Sequence, residues 1–274
     1  MPEPVVLRSA ANPTVRHLIK MRDNRARRKA NRVLVDGWRE TSQAIHAGLD
    51  LCGLYVPESI VTITLDPPDA SGQAVIDHAT AANKMFVVAD SLMDKIGYGQ
   101  SSRGVVAEFI RPVSELATLR LPENPLILVL DQIEKPGNIG AVFRCADAAG
   151  VDAILLCNCS DLYNPNAIRS SLGTVFLVPS ASAAEMEMAS YLAKHDVRGL
   201  AARVESSSSV WETDLTGPLA IILGSEAYGL GTRWKTLNDV AIEGVRIPMS
   251  GQVDSLYISA SAAILAFEAK RQRR

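Results

Sequence analysis

Residues 126–150 read LILVLDQIEKPGNIGAVFRCADAAG, and they leave little freedom in what the rest of the chain can build. An unbroken apolar run, 126–130, closes on Asp131, and a short polar turn with Pro136 and Gly137 follows. From Asn138 onward, Ile139, Val142, Phe143 and Ala146 recur at helical spacing. A strand that is apolar at every position is buried on both faces, and strand, tight turn and helix together form the unit of parallel α/β sheets. Arg144 stands off the apolar stripe, free to face whatever the turn cradles.

The C-terminal half repeats this alternation. Apolar runs of strand length occur at 126–130, 153–157, 175–178, 198–202, 219–223 and 240–247, and helical periodicity at 139–149, 184–195 and 256–271. The expectation is a parallel sheet covered on both faces. The N-terminal half reads as a smaller α/β domain. A basic helix runs from the cap Asn12-Pro13 to about Lys29, and a strand at 33–35 leads through Asp36-Gly37 into a helix over 39–47. Strands follow at 51–56, 61–65, 86–88 and 105–110, with helices at 75–82 and 91–96 and a polar loop at 97–104. Pro112, Pro122 and Pro125 mark a weakly hydrophobic connection, so the expected division is a domain over 1–110, a linker over 111–125 and a second domain over 126–274.

Charge and cysteine usage narrow the functional classes. The net charge is only −2, yet Arg16, Lys20, Arg22, Arg25, Arg27, Arg28, Lys29 and Arg32 crowd one segment against a single Asp23. A local basic patch of this kind binds phosphates while the molecule as a whole stays near neutral; a solvated helix face is the plainer reading. Cys52, Cys145, Cys157 and Cys159 form no paired framework and no metal-ligand spacing, which suits reduced thiols, no metal and a cytoplasmic protein. No apolar run is long enough to span a bilayer.

Gly137-Asn138-Ile139-Gly140 has too few glycines for a dinucleotide fingerprint, and the next strand ends in Cys157-Asn158-Cys159 rather than an acidic residue. No P-loop is present. Leu223-Gly224-Ser225-Glu226-Ala227-Tyr228-Gly229 follows a buried strand, where glycines let backbone groups approach a ligand closely, although an ordinary strand-to-helix turn fits as well. Ile247-Pro248-Met249-Ser250-Gly251 is a further strand end, and the last helix carries a stripe of small and large apolar residues.

Taken in order, D-x-I-x-x-P-G-N-I-G-A-V-x-R from Asp131, I-L-G-S-E-x-x-G-L from Ile222, I-P-M-x-G-x-V-x-S-L from Ile247 and E-A-x-R-Q-R from Glu268 resemble the signature motifs of the SpoU/TrmH family. These are RNA ribose 2′-O-methyltransferases of the SPOUT superfamily. The resemblance covers residues 126–274, including Tyr163-Asn164-Pro165 and Arg169-Ser170-Ser171-Leu172-Gly173. More weakly, the N-terminal half is similar to the family's ribosomal-protein-like substrate-binding domain through Asn12-Pro13, residues 33–37 with Arg39, and residues 103–107.

The resemblance implies a C-terminal sheet threaded into a deep trefoil knot, a homodimer, and S-adenosylmethionine as cofactor. It places the cofactor among Ala201, Ala202, Leu223, Gly224, Ser225, Gly229, Ile247, Pro248, Met249, Leu256 and Ser259. It casts Arg144 as the catalytic arginine, with Asn138, Glu226 and Ser255 beside it. Arginine holds its proton too tightly to be an easy base, so the role expected of Arg144 is to clamp the phosphate and steady the nucleophile. Asn138 would orient Arg144 or the ribose, its plainer role being a helix cap. RNA contacts are expected at Arg16, Lys20, Arg22, Arg25, Arg27, Arg28, Lys29, Arg39 and Arg169.

One departure concerns the third motif. The family continues it as S-L-N-V-S, whereas this chain reads Ser255-Leu256-Tyr257-Ile258-Ser259. A phenol cannot reproduce both functions of an amide. The expected activity is methylation of a ribose 2′-hydroxyl in RNA, 23S ribosomal RNA foremost. Transfer RNA is the alternative substrate, and a catalytically weak RNA-binding or ribosome-assembly factor the alternative class.

Overall fold

A computed structural model describes residues 6–62, 70–98, 104–237 and 240–274. In chain order the first half runs β1 (Val6–Leu7), α1 (Pro13–Lys20), α2 (Asn24–Ala30), β2 (Arg32–Asp36), α3 (Trp38–His46), β3 (Leu51–Pro57), α4 (Glu58–Thr62), α5 (Ala70–Ala81), β4 (Met85–Val88), α6 (Asp90–Ile96) and β5 (Val106–Ile110). The second half runs β6 (Leu126–Asp131), α7 (Pro136–Ala149), β7 (Ala153–Cys157), α8 (Pro165–Ser170), β8 (Ser180–Ala183), α9 (Glu185–Lys194), β9 (Arg198–Ala202), β10 (Leu219–Leu223), β11 (Thr236–Leu237), β12 (Val240–Ala241), β13 (Glu243–Val245) and α10 (Ile258–Gln272). The chain divides into two compact units: Met1–Pro112 with Tyr163–Leu177, and Val113–Leu162 with Val178–Arg274.

The first unit is a five-stranded mixed sheet, ordered β1-β4-β3-β5-β2, with β5 antiparallel to both β3 and β2. The expected single basic helix is two. Asp23 Oδ1 accepts from Ala26 N at 2.8 Å and caps α2, so the one acid in the basic run is what breaks the helix. Asn31 ends α2 in the left-handed region, φ 54°. Val61 and Thr62, expected in a strand, close α4, and the remainder of that stretch lies outside the described residues. Part of the 97–104 loop, residues 99–103, also lies outside them.

Residues 163–177 belong to this first unit through their packing. Arg169 reaches Asp36, and Arg111 lies over the Tyr163 ring. The expected strand at 175–178 does not form. Thr174–Phe176 is a 3-10 turn entered through Gly173 at φ 88°, where a Cβ would sit 2.8 Å from the Gln43 side chain. The next strand begins only at Ser180.

The second unit is an all-parallel six-stranded sheet, ordered β13-β9-β10-β6-β7-β8. Every residue of β6, β7 and β10 is buried, as their unbroken apolar runs require. Residues 240–247 do not make one strand. Val240–Ala241 pairs antiparallel with β11, and Glu243–Val245 separately extends the parallel sheet beside β9. α7 starts at Pro136, with Lys135 rather than Asn138 in the cap position. Pro at the first helical position has no N–H to leave unpaired, so the helix gains a turn over the sequence expectation. α10 packs along α7. Among the described residues no helix is long and apolar enough to cross a membrane.

Candidate active site

Beyond the carboxyl ends of β9, β10 and β13 lies a cavity of about 460 Å³, the end at which parallel sheets bind ligands. Its walls are 202–205 after β9, 223–231 after β10, 245–247 and Met249 after β13, and 254–256 with Ile258 and Ser261. Ser225 N donates to Gly229 O at 3.1 Å and Gly229 N to Ser225 O at 2.9 Å, folding the loop after β10 into a closed turn. A Cβ on Gly224 would lie 2.2 Å from the carbonyl carbon and oxygen of Gly229 and 2.5 Å from Leu230 N. Only glycine permits that approach. Gly229 and Gly231 adopt positive φ, 57° and 52°.

Two arginines anchor the loop and the residues that follow it. Arg203, at the end of β9, donates to Gly231 O at 2.8 Å and to Arg233 O at 2.6 Å. Arg233 stands 3.0 Å from Asp131 Oδ1 and donates to Glu185 Oε2 at 2.9 Å, and Trp234 N donates to Glu185 Oε1. Asp131 is 1% exposed; burial raises its pKa, and the Arg233 guanidinium pulls it back down. The acid that closes β6 is thus an anchor for the cavity loop.

Glu226 connects this loop to α7. Its Oε1 accepts from Asn138 Nδ2 at 2.6 Å, and Lys135 Nζ lies 3.5 Å from Oε2. Arg144, two turns further along α7 from the Pro136 end, is exposed and makes no hydrogen bond or ion pair with any described residue. Ser255 Oγ donates to Asp254 Oδ1 at 3.1 Å.

Of the residues singled out from sequence, Ala202, Leu223, Gly224, Ser225, Glu226, Gly229, Ile247, Met249, Ser255 and Leu256 line the cavity. Ala201 does not: it is fully buried, with its methyl in the core packed against the sheet. Pro248 is exposed and Ser259 half-buried, both outside the lining, as are Asn138 and Arg144. Sequence reasoning passed over Arg203, Glu205, Tyr228, Arg246 and Asp254. For Arg203 and Glu205 the signal was present, since both directly follow a parallel strand.

On the first unit, Arg16, Lys20, Arg22, Arg25, Arg28, Lys29 and Arg39 are exposed. Arg27 corrects the expected RNA-contact set. It is 1% exposed and donates to Met21 O and Arg22 O at 2.9 Å each, closing the turn between α1 and α2. Arg169 is part-buried and donates to Asp36 Oδ2 at 3.0 Å and to Tyr98 O.

The profile of the SpoU rRNA Methylase family matches residues 125–267, and that of the MRM3-like substrate binding domain matches residues 12–107. The chain belongs to the SpoU family of RNA 2′-O-methyltransferases. The 23S rRNA (guanosine-2′-O-)-methyltransferase RlmB of Pasteurella multocida is 32% identical over 205 residues, 72% of this chain and 82% of that protein. A solved RNA 2′-O ribose methyltransferase superposes with a TM-score of 0.82 at 35% identity, covering 98% of this chain and 99% of that one. An AdoMet-bound rRNA methyltransferase from Sinorhizobium meliloti, at 24% identity over 97% of both chains, shares the fold with a TM-score of 0.83.

Proposed function

We propose that this protein methylates a ribose 2′-hydroxyl of 23S ribosomal RNA, with S-adenosylmethionine held in the cavity beyond β9, β10 and β13. The observation that carries the reading is the Asn138–Glu226 hydrogen bond, which ties the helix bearing Arg144 to the wall of that cavity at 2.6 Å. The cavity suits the cofactor on its own evidence. Its volume falls within the roughly 300–1,000 Å³ of small-molecule sites, and the Gly224–Gly229 approach leaves backbone groups rather than side chains on one wall. Glu205, Glu226 and Asp254 supply carboxylates to a ligand that carries a cationic sulfonium. Gly224, Ser225, Gly229, Ile247 and Leu256 would hold the nucleoside, with Leu223, Ala202 and Met249 as apolar lining.

The sulfonium supplies a methyl group already activated by its positive charge. What the chain has to provide is position. Arg144, exposed and uncommitted to any described side chain, clamps a phosphate beside the target ribose and stabilises charge developing on its 2′-oxygen. Asn138 and Glu226 fix the start of α7 against the cavity loop, so that Arg144 and the methyl donor share one frame. Ser255, bound to Asp254, places a hydroxyl in the cavity lining.

Residues 1–110 serve as the RNA-gripping domain and 126–274 as the methyltransferase domain. Exposed Arg16, Lys20, Arg25 and Lys29 supply the phosphate contacts, which position the RNA rather than read its sequence. The proposed assembly is a homodimer using α10, whose Phe267 is 49% exposed. Threading of the segment after β10 into a knot fits a last strand inserted beside β9 and a last helix returning onto α7. With four free thiols, the proposed compartment is the cytoplasm. Transfer of labelled methyl from S-adenosylmethionine to 23S ribosomal RNA, with transfer RNA in parallel, tests the reading. Incorporation into 23S RNA supports it, and incorporation into transfer RNA alone overturns the substrate.

A further inference from the structure

Two exposed aromatic rings stand at the cavity or next to it in the chain: Tyr228 among the lining residues and Tyr257 between the lining residues Leu256 and Ile258. Tyr228 is 86% exposed and Tyr257 is 78% exposed. Tyr228 lies in the cavity lining, within the turn closed by Ser225 and Gly229. Tyr257 follows directly on the lining residues Ser255 and Leu256, at the cap position of α10, and its side chain makes no capping bond. Neither hydroxyl has a partner among the described residues, and neither ring stacks on a described neighbour. The tyrosines that serve the fold behave differently: Tyr55 stacks on Phe86 at 5.4 Å and Tyr163 on Phe176 at 6.1 Å, both rings buried.

Exposing two rings where nothing packs on them forgoes burial that either would gain in a core. A ligand face explains the arrangement. Single-stranded RNA segments present unstacked bases, and proteins receive them on aromatic side chains. We propose that Tyr257 and Tyr228 are stacking platforms for two nucleobases of the substrate, the target nucleotide and a neighbour, which hold the ribose at the mouth of the cavity. The proposal rests on the methyltransferase reading above and adds to it the residues that select an unpaired, splayed nucleotide. On this account the tyrosine standing where the family's third motif has asparagine is a gain of base contact.

The test uses the full chain and compares Tyr257→Phe, Tyr257→Ala, Tyr228→Ala and the wild type. Five quantities are measured: affinity for a 23S RNA transcript, KM and kcat for methyl transfer, S-adenosylmethionine affinity by calorimetry, and solution mass. Each alanine variant is expected to raise the RNA Kd and KM about tenfold, the scale of losing one base stack. The phenylalanine variant should stay within about twofold of wild type, because the ring rather than the hydroxyl does the stacking. Cofactor affinity and mass should not change.

Alanine variants that bind RNA as tightly as the wild type would overturn the proposal. So would a phenylalanine variant as impaired as alanine, or a change in mass with RNA affinity intact, which would make the rings a subunit contact. A wild type that transfers no methyl group would instead sink the enzymatic reading, while the RNA affinities still decide the stacking.

Discussion

Asn138 Nδ2 donates to Glu226 Oε1 at 2.6 Å, joining the first turn of α7 to the loop that follows β10. Eighty-eight residues separate the two in sequence. Each sits in a motif of its own, and the bond makes one wall of the two. Replacing Asn138 with Ala removes the donor but leaves the cavity glycines untouched. The expected result is a kcat lower by about 10²-fold, the scale of a misplaced reacting group, with S-adenosylmethionine affinity within about threefold of wild type. Steady-state kinetics beside calorimetry measures both.

Gly224→Ala acts on the other side. The new methyl would meet Gly229 and Leu230 backbone at 2.2–2.5 Å, so the turn must open. The expected outcome is a loss of about 1–3 kcal/mol in stability, and of cofactor binding before RNA binding. Urea unfolding and cofactor titration on the same sample separate the two effects.

Arg233→Met removes the cation beside buried Asp131, and such uncompensated charges cost about 3–5 kcal/mol. Burial already raises the Asp131 pKa, and the variant would raise it further. A carboxyl whose folded pKa is raised favours folding below its unfolded value, and that contribution is lost as pH rises through the folded one. The destabilisation should therefore be larger at pH 8 than at pH 5, and Asp131→Asn in the same chain should relieve it. Thermal melts across that range provide the measurement.

Cys157 and Cys159 yield a second pH signature. Burial, helped by neighbouring Asp131, pushes their thiols up to about 12 and about 11. At pH 8 the thiolate fraction of Cys157 is then about a thousandfold below that of an ordinary cysteine. Mass-resolved alkylation should find both unmodified in the native protein and reactive after unfolding. Because these pKa values are raised, their contribution to stability is whole below about pH 9 and declines as pH climbs towards 12.

The parts of this molecule that were legible in its sequence share a physical cause. β6, β7, β9 and β10 announce themselves because strands buried on both faces read as near-continuous apolar runs, with Asp131 and Arg198 only at strand ends, and the glycine loop because only glycine tolerates a backbone that close. What escaped the sequence depends on partners distant in the chain. Arg27 looks like its basic neighbours, yet it turns inward because two backbone carbonyls between α1 and α2 need a donor. Arg169 is claimed by Asp36, 133 residues away. Val175 has the composition of a strand but follows Gly173 in a left-handed turn. Asn138 reads as a cap, a role made unnecessary by Pro136, which frees its amide for Glu226.

We propose that Arg144 presents the RNA to a methyl donor held in the β10 loop. The most direct test is alkali-resistant methyl incorporation into 23S ribosomal RNA by the wild type and by Arg144→Ala, with RNA and cofactor affinities measured alongside. Wild type is expected to protect a single ribose, and Arg144→Ala to lose about 10²-fold or more in rate while binding both ligands within a few-fold of wild type. Equal rates for the two proteins, or no protected ribose in any RNA offered to the wild type, would contradict the proposal.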